Sequence, residues 1–246
     1  ITTGAQTYDG AVTLGAAATA LTSTGSGAIT FAGKLDGGSA TAVNTSGVTT
    51  FGGAAGTGTP LLSLMTDAGT AGSTAISGGA ITTSGAQTYN EPVTLGAATT
   101  LTSTSVADGD PALTFVSSLD SDSTARDLTI AAGSGSIVFT SSVGSIHRLA
   151  SLNATSAGAV PNAISIGANM LSTGAQTYSG PVTIADAGAI GYVVNASSGT
   201  LGFASAVTHT SGTIAAGALA AGTVAIKFGS AYTAASAAIL QGSSTT

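Results

Sequence analysis

The sequence predicts an all-β fold, a parallel β-helix wound from short repeats, and three observations carry that reading. The pentapeptide Gly-Ala-Gln-Thr-Tyr occurs three times, at residues 4–8, 85–89 and 174–178, so the copies are 81 and 89 residues apart. Apolar–small polar–apolar triplets recur between the copies. Gly, Ser, Asp and Asn separate the triplets, and no stretch carries a 3.6-residue apolar stripe.

The three copies divide the chain into units of approximately 1–80, 81–170 and 171–246, read as one solenoid region of a longer array. The first unit opens with Gln6-Thr7-Tyr8, followed by the triplet Val12-Thr13-Leu14, then Ile29-Thr30-Phe31 and Val48 to Phe51. The second repeats the opening at Gln87-Thr88-Tyr89 and Val93-Thr94-Leu95. It continues with Leu113-Thr114-Phe115, Leu128-Thr129-Ile130 and Ile137-Val138-Phe139. The third has Gln176-Thr177-Tyr178 and Val182-Thr183-Ile184, and its pattern loosens after about residue 210. Period-two alternation marks short strands. Asp36-Gly37-Gly38, Gly52-Gly53 and Gly133-Ser134-Gly135 read as turns. The beats of the first unit lie 17 to 20 residues apart, which predicts coils of roughly 20 residues, four per unit and about 12 in all. At roughly 4.8 Å per coil this is a rod of about 60 Å. A helix at the Ala-rich residues 215–225 is opposed by their Gly content. A membrane β-barrel is opposed by the aromatic count, since six Phe and five Tyr hardly furnish two girdles.

Composition narrows the function. Charged residues are 6% of the chain, against roughly 25% in an average globular protein. Four Lys and Arg in 246 residues give no nucleic-acid footprint. No apolar run is long enough to span a membrane as a helix. The absence of Cys removes disulfides and thiolate metal sites. Leu, Ile, Val and Phe number 51, and the net charge is only −6, so packing is expected rather than charge-driven disorder.

The run Thr-Gly-Ala-Gln-Thr-Tyr at 173–178 with Pro181 to Ile184, the run Pro92 to Thr104, and Leu21 to Thr24 resemble the repeats of filamentous-haemagglutinin-like large exoproteins. The resemblance extends to about residue 210. It implies a right-handed parallel β-helix exported to the bacterial surface and used in adhesion or envelope architecture. The secretion-recognition domain that opens members of that family is not recognisable in this sequence.

Candidate chemistry is sparse. Asp108, Asp110, Asp120, Asp122 and Asp127 could supply hard oxygen ligands to calcium, or else serve as solvated turns. Asp120, Asp122, Arg126 and Asp127 form the one charged cluster from which a polysaccharide lyase or hydrolase on a β-helix could be built. His147, Arg148 and the distant His209 make no zinc constellation. The Gln-Thr-Tyr copies are expected to pack, each Tyr at the same place in its unit, with the Gln bonded to backbone. The expectation is therefore a protein without catalytic, cofactor or metal residues. It would be a rigid stalk or filament, extracellular or on the bacterial surface, whose partner is itself through head-to-tail stacking. A second reading displays residues 54–70 and 157–168 as loops for surface glycans or host proteins.

Overall fold

The structure is a computed structural model; it describes residues 1–67, 71–104, 107–184, 194–196, 200–209, 219–221, 225–228 and 232–234. Every strand pairing is parallel, and no helix occurs among the described residues. The chain winds as a β-solenoid in which each turn contributes one strand to each of three faces. Gln6–Tyr8 begins the first face, Val12–Thr13 the second and Ala18–Ser23 the third. The next turn returns with Ile29–Phe31, Leu35–Asp36 and Ala40–Thr45. The third face is an unbroken sheet of ten strands, ending at Tyr232–Ala234.

The coil differs from the expected one. Successive turns are about 24 residues apart instead of about 20. Ten rungs at roughly 4.8 Å make the third face about 43 Å long, not 60 Å. The apolar triplets do not share a single inner column either. Val12 lies on the second face, Ile29–Phe31 on the first and Leu113–Phe115 on the third. Triplet spacing along the chain measured steps between faces and rungs mixed together, because one turn contains three strands rather than one.

The unit of sequence is not a whole number of turns. The Gln-Thr-Tyr copies lie on three different faces: Gln6–Tyr8 on the first, Gln87–Tyr89 on the third and Gln176–Ser179 on the second. Single-residue bridges at Ala55 and Val143 each stand for a strand. With these included, each copy is the eleventh strand after the previous one, or three and two-thirds turns. The expectation of one fixed place per unit is thus corrected. The local surroundings are shared, and the face is not.

Alternation fills the interior. Ile29, Phe31, Leu113, Phe115, Ile137 and Phe139 point inward and are buried, while the Thr or Val between them is less so. Each unit stacks its aromatic rings along one face. Tyr8, Phe31 and Phe51 lie at centroid separations of 5.2 and 5.6 Å, and Tyr89, Phe115 and Phe139 at 5.2 and 5.3 Å. Tyr178 and Phe203 repeat the arrangement at 5.2 Å, and the backbone of Phe228 pairs with that of Phe203. Within each copy the Tyr hydroxyl donates to the Gln Oε1 two residues earlier, at 2.8 to 2.9 Å. The Gln Nε2 in turn donates to main-chain oxygens: Thr22 for Gln6, Thr102 for Gln87 and Met170 for Gln176. A buried hydroxyl and amide are thereby satisfied inside an apolar column, and burial pushes the Tyr89 and Tyr178 phenols far up.

Candidate functional site

Two groups of charged residues lie beside interrupted strands. Val143 and Leu149 bridge Met170 and Ser172 of one strand, so residues 144–148 bulge out of the first face. Gly144 opens the bulge at φ +70°, and a Cβ there would lie 2.0 Å from the Leu171 carbonyl oxygen. Only glycine fits. Asp120, one turn earlier, holds the bulge. It is nearly buried, and its Oδ1 accepts from the main-chain N–H of Ile146 at 2.8 Å and of His147 at 3.3 Å. The Ser121 N–H donates to the His147 carbonyl at 3.1 Å.

The first unit has a twin. Ala55 and Leu61 bridge Ile81 and Thr83, residues 56–60 bulge out of the second face, and Gly56 has φ +67°. Asp36 Oδ1 accepts from Gly58 and Thr59, while its Oδ2 meets Lys34 Nζ at 3.3 Å. Burial raises the Asp36 carboxyl, but the two N–H groups and Lys34 outweigh it and hold the group below the usual range. Asp36-Gly37-Gly38 reads in sequence as a turn. The partner 22 residues away gives no local signal.

Beside the second bulge is a shallow depression of about 280 Å³ lined by Pro92, Thr94, Asp120, Asp122, Ile146 and His147, among others. Asp122 receives a forked bond from Arg126, Nε at 3.0 Å and Nη2 at 2.7 Å, and a third from the Thr124 N–H. Arg126 foremost, then Thr124, holds the Asp122 carboxyl low, and His147 adds to this; Asp122 holds the Arg126 guanidinium high. Ile146 is 76% exposed at the lip.

The structure brings Asp120 and Asp122 to one depression and leaves Asp108, Asp110 and Asp127 apart from it. Asp108 and Asp110 precede a strand of the third face, and Asp108 Oδ1 accepts from Ala159 N–H at 3.1 Å, joining two loops. Asp127 opens a strand of the second face and accepts from Ser151 Oγ. Arg148 Nη1 donates to the Ser172 carbonyl. His209 pairs through its backbone with Ile184. Among the described residues no three of His, Asp and Glu assemble as a metal site. The two expected loops are also subdivided. Residues 54–70 contain a bulge and the strand Ser63–Thr66, and residues 157–168 contain the strand Ile164–Ile166.

No family model, curated protein or solved structure matches the chain.

Proposed function

We propose that this chain is a non-catalytic structural segment, part of a rigid stalk or filament of an extracellular or surface-exposed bacterial repeat protein. One observation supports it above others. The turns stack through parallel ladders, ten strands long on the third face, and their inward side chains form one continuous buried core. Each turn therefore buries its inward face against the turns beside it, as in a rod built by repetition. Head-to-tail stacking of copies would extend the same parallel ladders. The resemblance to filamentous-haemagglutinin-like repeats supports the adhesive and envelope setting. Electron microscopy at rising concentration tests the stacking. Rods lengthening end to end are expected, and monodisperse single rods at high concentration refute it.

A second reading follows from the bulges. The exposed Ile146 above a depression lined by Asp120, Asp122 and His147 favours contact with a surface glycan or host protein. A deletion of residues 145–147 that leaves cell attachment unchanged overturns that reading. A polysaccharide lyase or hydrolase is the weakest alternative, because Asp120 and Asp122 are engaged by the bulge and by Arg126.

A further inference from the structure

Two buried carboxylates stand on adjacent turns, with no counter-charge among the described residues. Asp67 follows the third-face strand Ser63–Thr66 and is 5% exposed; Glu91 follows Gln87–Tyr89 on the next turn and is fully buried. The Thr45 N–H donates to Asp67 Oδ1 at 2.6 Å, and Thr74 Oγ1 donates to Glu91 Oε1. The remaining oxygens, Asp67 Oδ2 and Glu91 Oε2, have no partner, and neither have Thr49 Oγ1 and Thr66 Oγ1. Register draws these groups to one corner. Thr49 pairs with Thr74, which bonds Glu91, and Thr66 pairs with Tyr89, two residues before Glu91.

The second unit supplies an internal control. The inward ladder Ile29, Thr49, Thr74, Val93 has as its counterpart Leu113, Ile137, Ile164, Val182. Ala154, paired with Tyr178, stands for Thr66, and Gly180 stands for Glu91. The same ladder thus packs with an apolar set, while the backbone differs at the corner itself, where Asp67 stands at φ +41° and Gly180 at φ +145°. An isolated buried charge is costly and is met by pairing or by a metal. Lys34 and Arg126 pair with Asp36 and Asp122, and among the described residues neither Asp67 nor Glu91 has an ion pair. Burial foremost, and then the Glu91 charge, pushes the Asp67 carboxyl up to about 6 against the pull of the Thr45 N–H.

We propose that this corner is a cation site, in which a hard ion of the calcium type is held by Asp67 and Glu91, with the Thr49 and Thr66 hydroxyls as further oxygen ligands. Two carboxylates and neutral oxygens are the donor set such an ion prefers. A depression lined by Thr22, Ser23, Asn44, Thr45, Ser46 and Asp67 leads to it from solvent.

Calcium alone is the probe. Melting is followed at neutral pH in calcium or in EDTA, together with terbium luminescence sensitised by tyrosine, the chain having no Trp. Wild-type protein is expected to melt several degrees higher in about 1 mM calcium, a concentration suited to extracellular modules, and to give terbium emission that calcium displaces. Glu91→Gly, which installs the residue of the third copy, should abolish the melting shift and weaken terbium binding at least tenfold. Asp67→Asn should do the same and serves if the glycine variant does not fold. Asp122→Asn should leave both signals intact. Equal melting of wild-type protein in calcium and EDTA, or a full calcium response in Glu91→Gly or Asp67→Asn, overturns the proposal; an acid-induced rise in melting alone then assigns the corner to a proton.

Discussion

Replacing Phe115 by Ala tests the aromatic column directly. The ring is 1% exposed and lies between Tyr89 at 5.2 Å and Phe139 at 5.3 Å, nearly parallel to both. Truncation removes the ring, leaves a cavity and breaks two stacked pairs. Buried Phe→Ala changes cost about 3–5 kcal/mol. The two pairs, at roughly 0.5–1.5 kcal/mol each, place this site toward the upper end of that range. Phe115→Leu retains most of the volume and loses the pairs, so about 1–3 kcal/mol is expected from the pair term. Ile146→Ala, at a side chain 76% exposed, is the control and should fall within about 0.5 kcal/mol of wild type. Urea unfolding followed by tyrosine fluorescence reads the series. Because coils contact only their neighbours, amide exchange near residues 89, 115 and 139 should report the loss locally. A Phe115→Ala loss below about 1 kcal/mol, or no greater than that of Ile146→Ala, would falsify the claim that the stacked rings hold adjacent turns together.

Other expectations concern the bulges and the buried carboxyl. Gly144→Ala should disorder residues 144–148, because φ is +70° and the Leu171 carbonyl fills the space; unchanged exchange of the Ile146 amide would contradict this. Asp120→Ala strands two N–H groups and should cost about 1–3 kcal/mol, whereas Asp120→Asn keeps an acceptor and should cost less; equal losses in denaturant would refute the capping role. Asp67 has a folded-state pKa raised to about 6, so the protonated form favours folding, fully below about 4 and progressively less as pH rises through 6. In EDTA the melting temperature should therefore climb between pH 7 and pH 4.5 by more in wild type than in Asp67→Asn, and coincident profiles would sink the assignment. Asp122 behaves oppositely. Its lowered carboxyl contributes stability above its ordinary range that is lost as acid protonates it, and comparison with Asp122→Asn at low pH reads that loss.

The class of fold was legible because strand alternation is local. Ile29-Thr30-Phe31 can be recognised without knowing its partner. The turn length was not legible from the triplets, since neighbours such as Val12 and Ile29 lie on different faces. A better ruler was present. Tyr8, Phe31 and Phe51 are 23 and 20 residues apart, Tyr89, Phe115 and Phe139 are 26 and 24, and Tyr178 and Phe203 are 25. Large rings must stack directly, so their intervals measure whole turns. At the candidate sites, Asp120 and Asp122 could be seen as a charged pair. Their separate duties could not, because the bulge that Asp120 caps lies 26 residues further on. Asp67 and Glu91 gave no signal at all. Each is a lone acid in its own segment, and only the stacking of turns makes them neighbours.

Because the repeated unit stops a third of a turn short of closure, copy number acts as an angular dial. Gaining or losing one unit changes the length of the rod by about 18 Å and also swings everything beyond it through 120° about the long axis. A surface feature carried once per unit is then offered at three compass bearings in succession. A solenoid with this offset would present a repeated feature on every side, and each added unit would re-aim whatever lies beyond it.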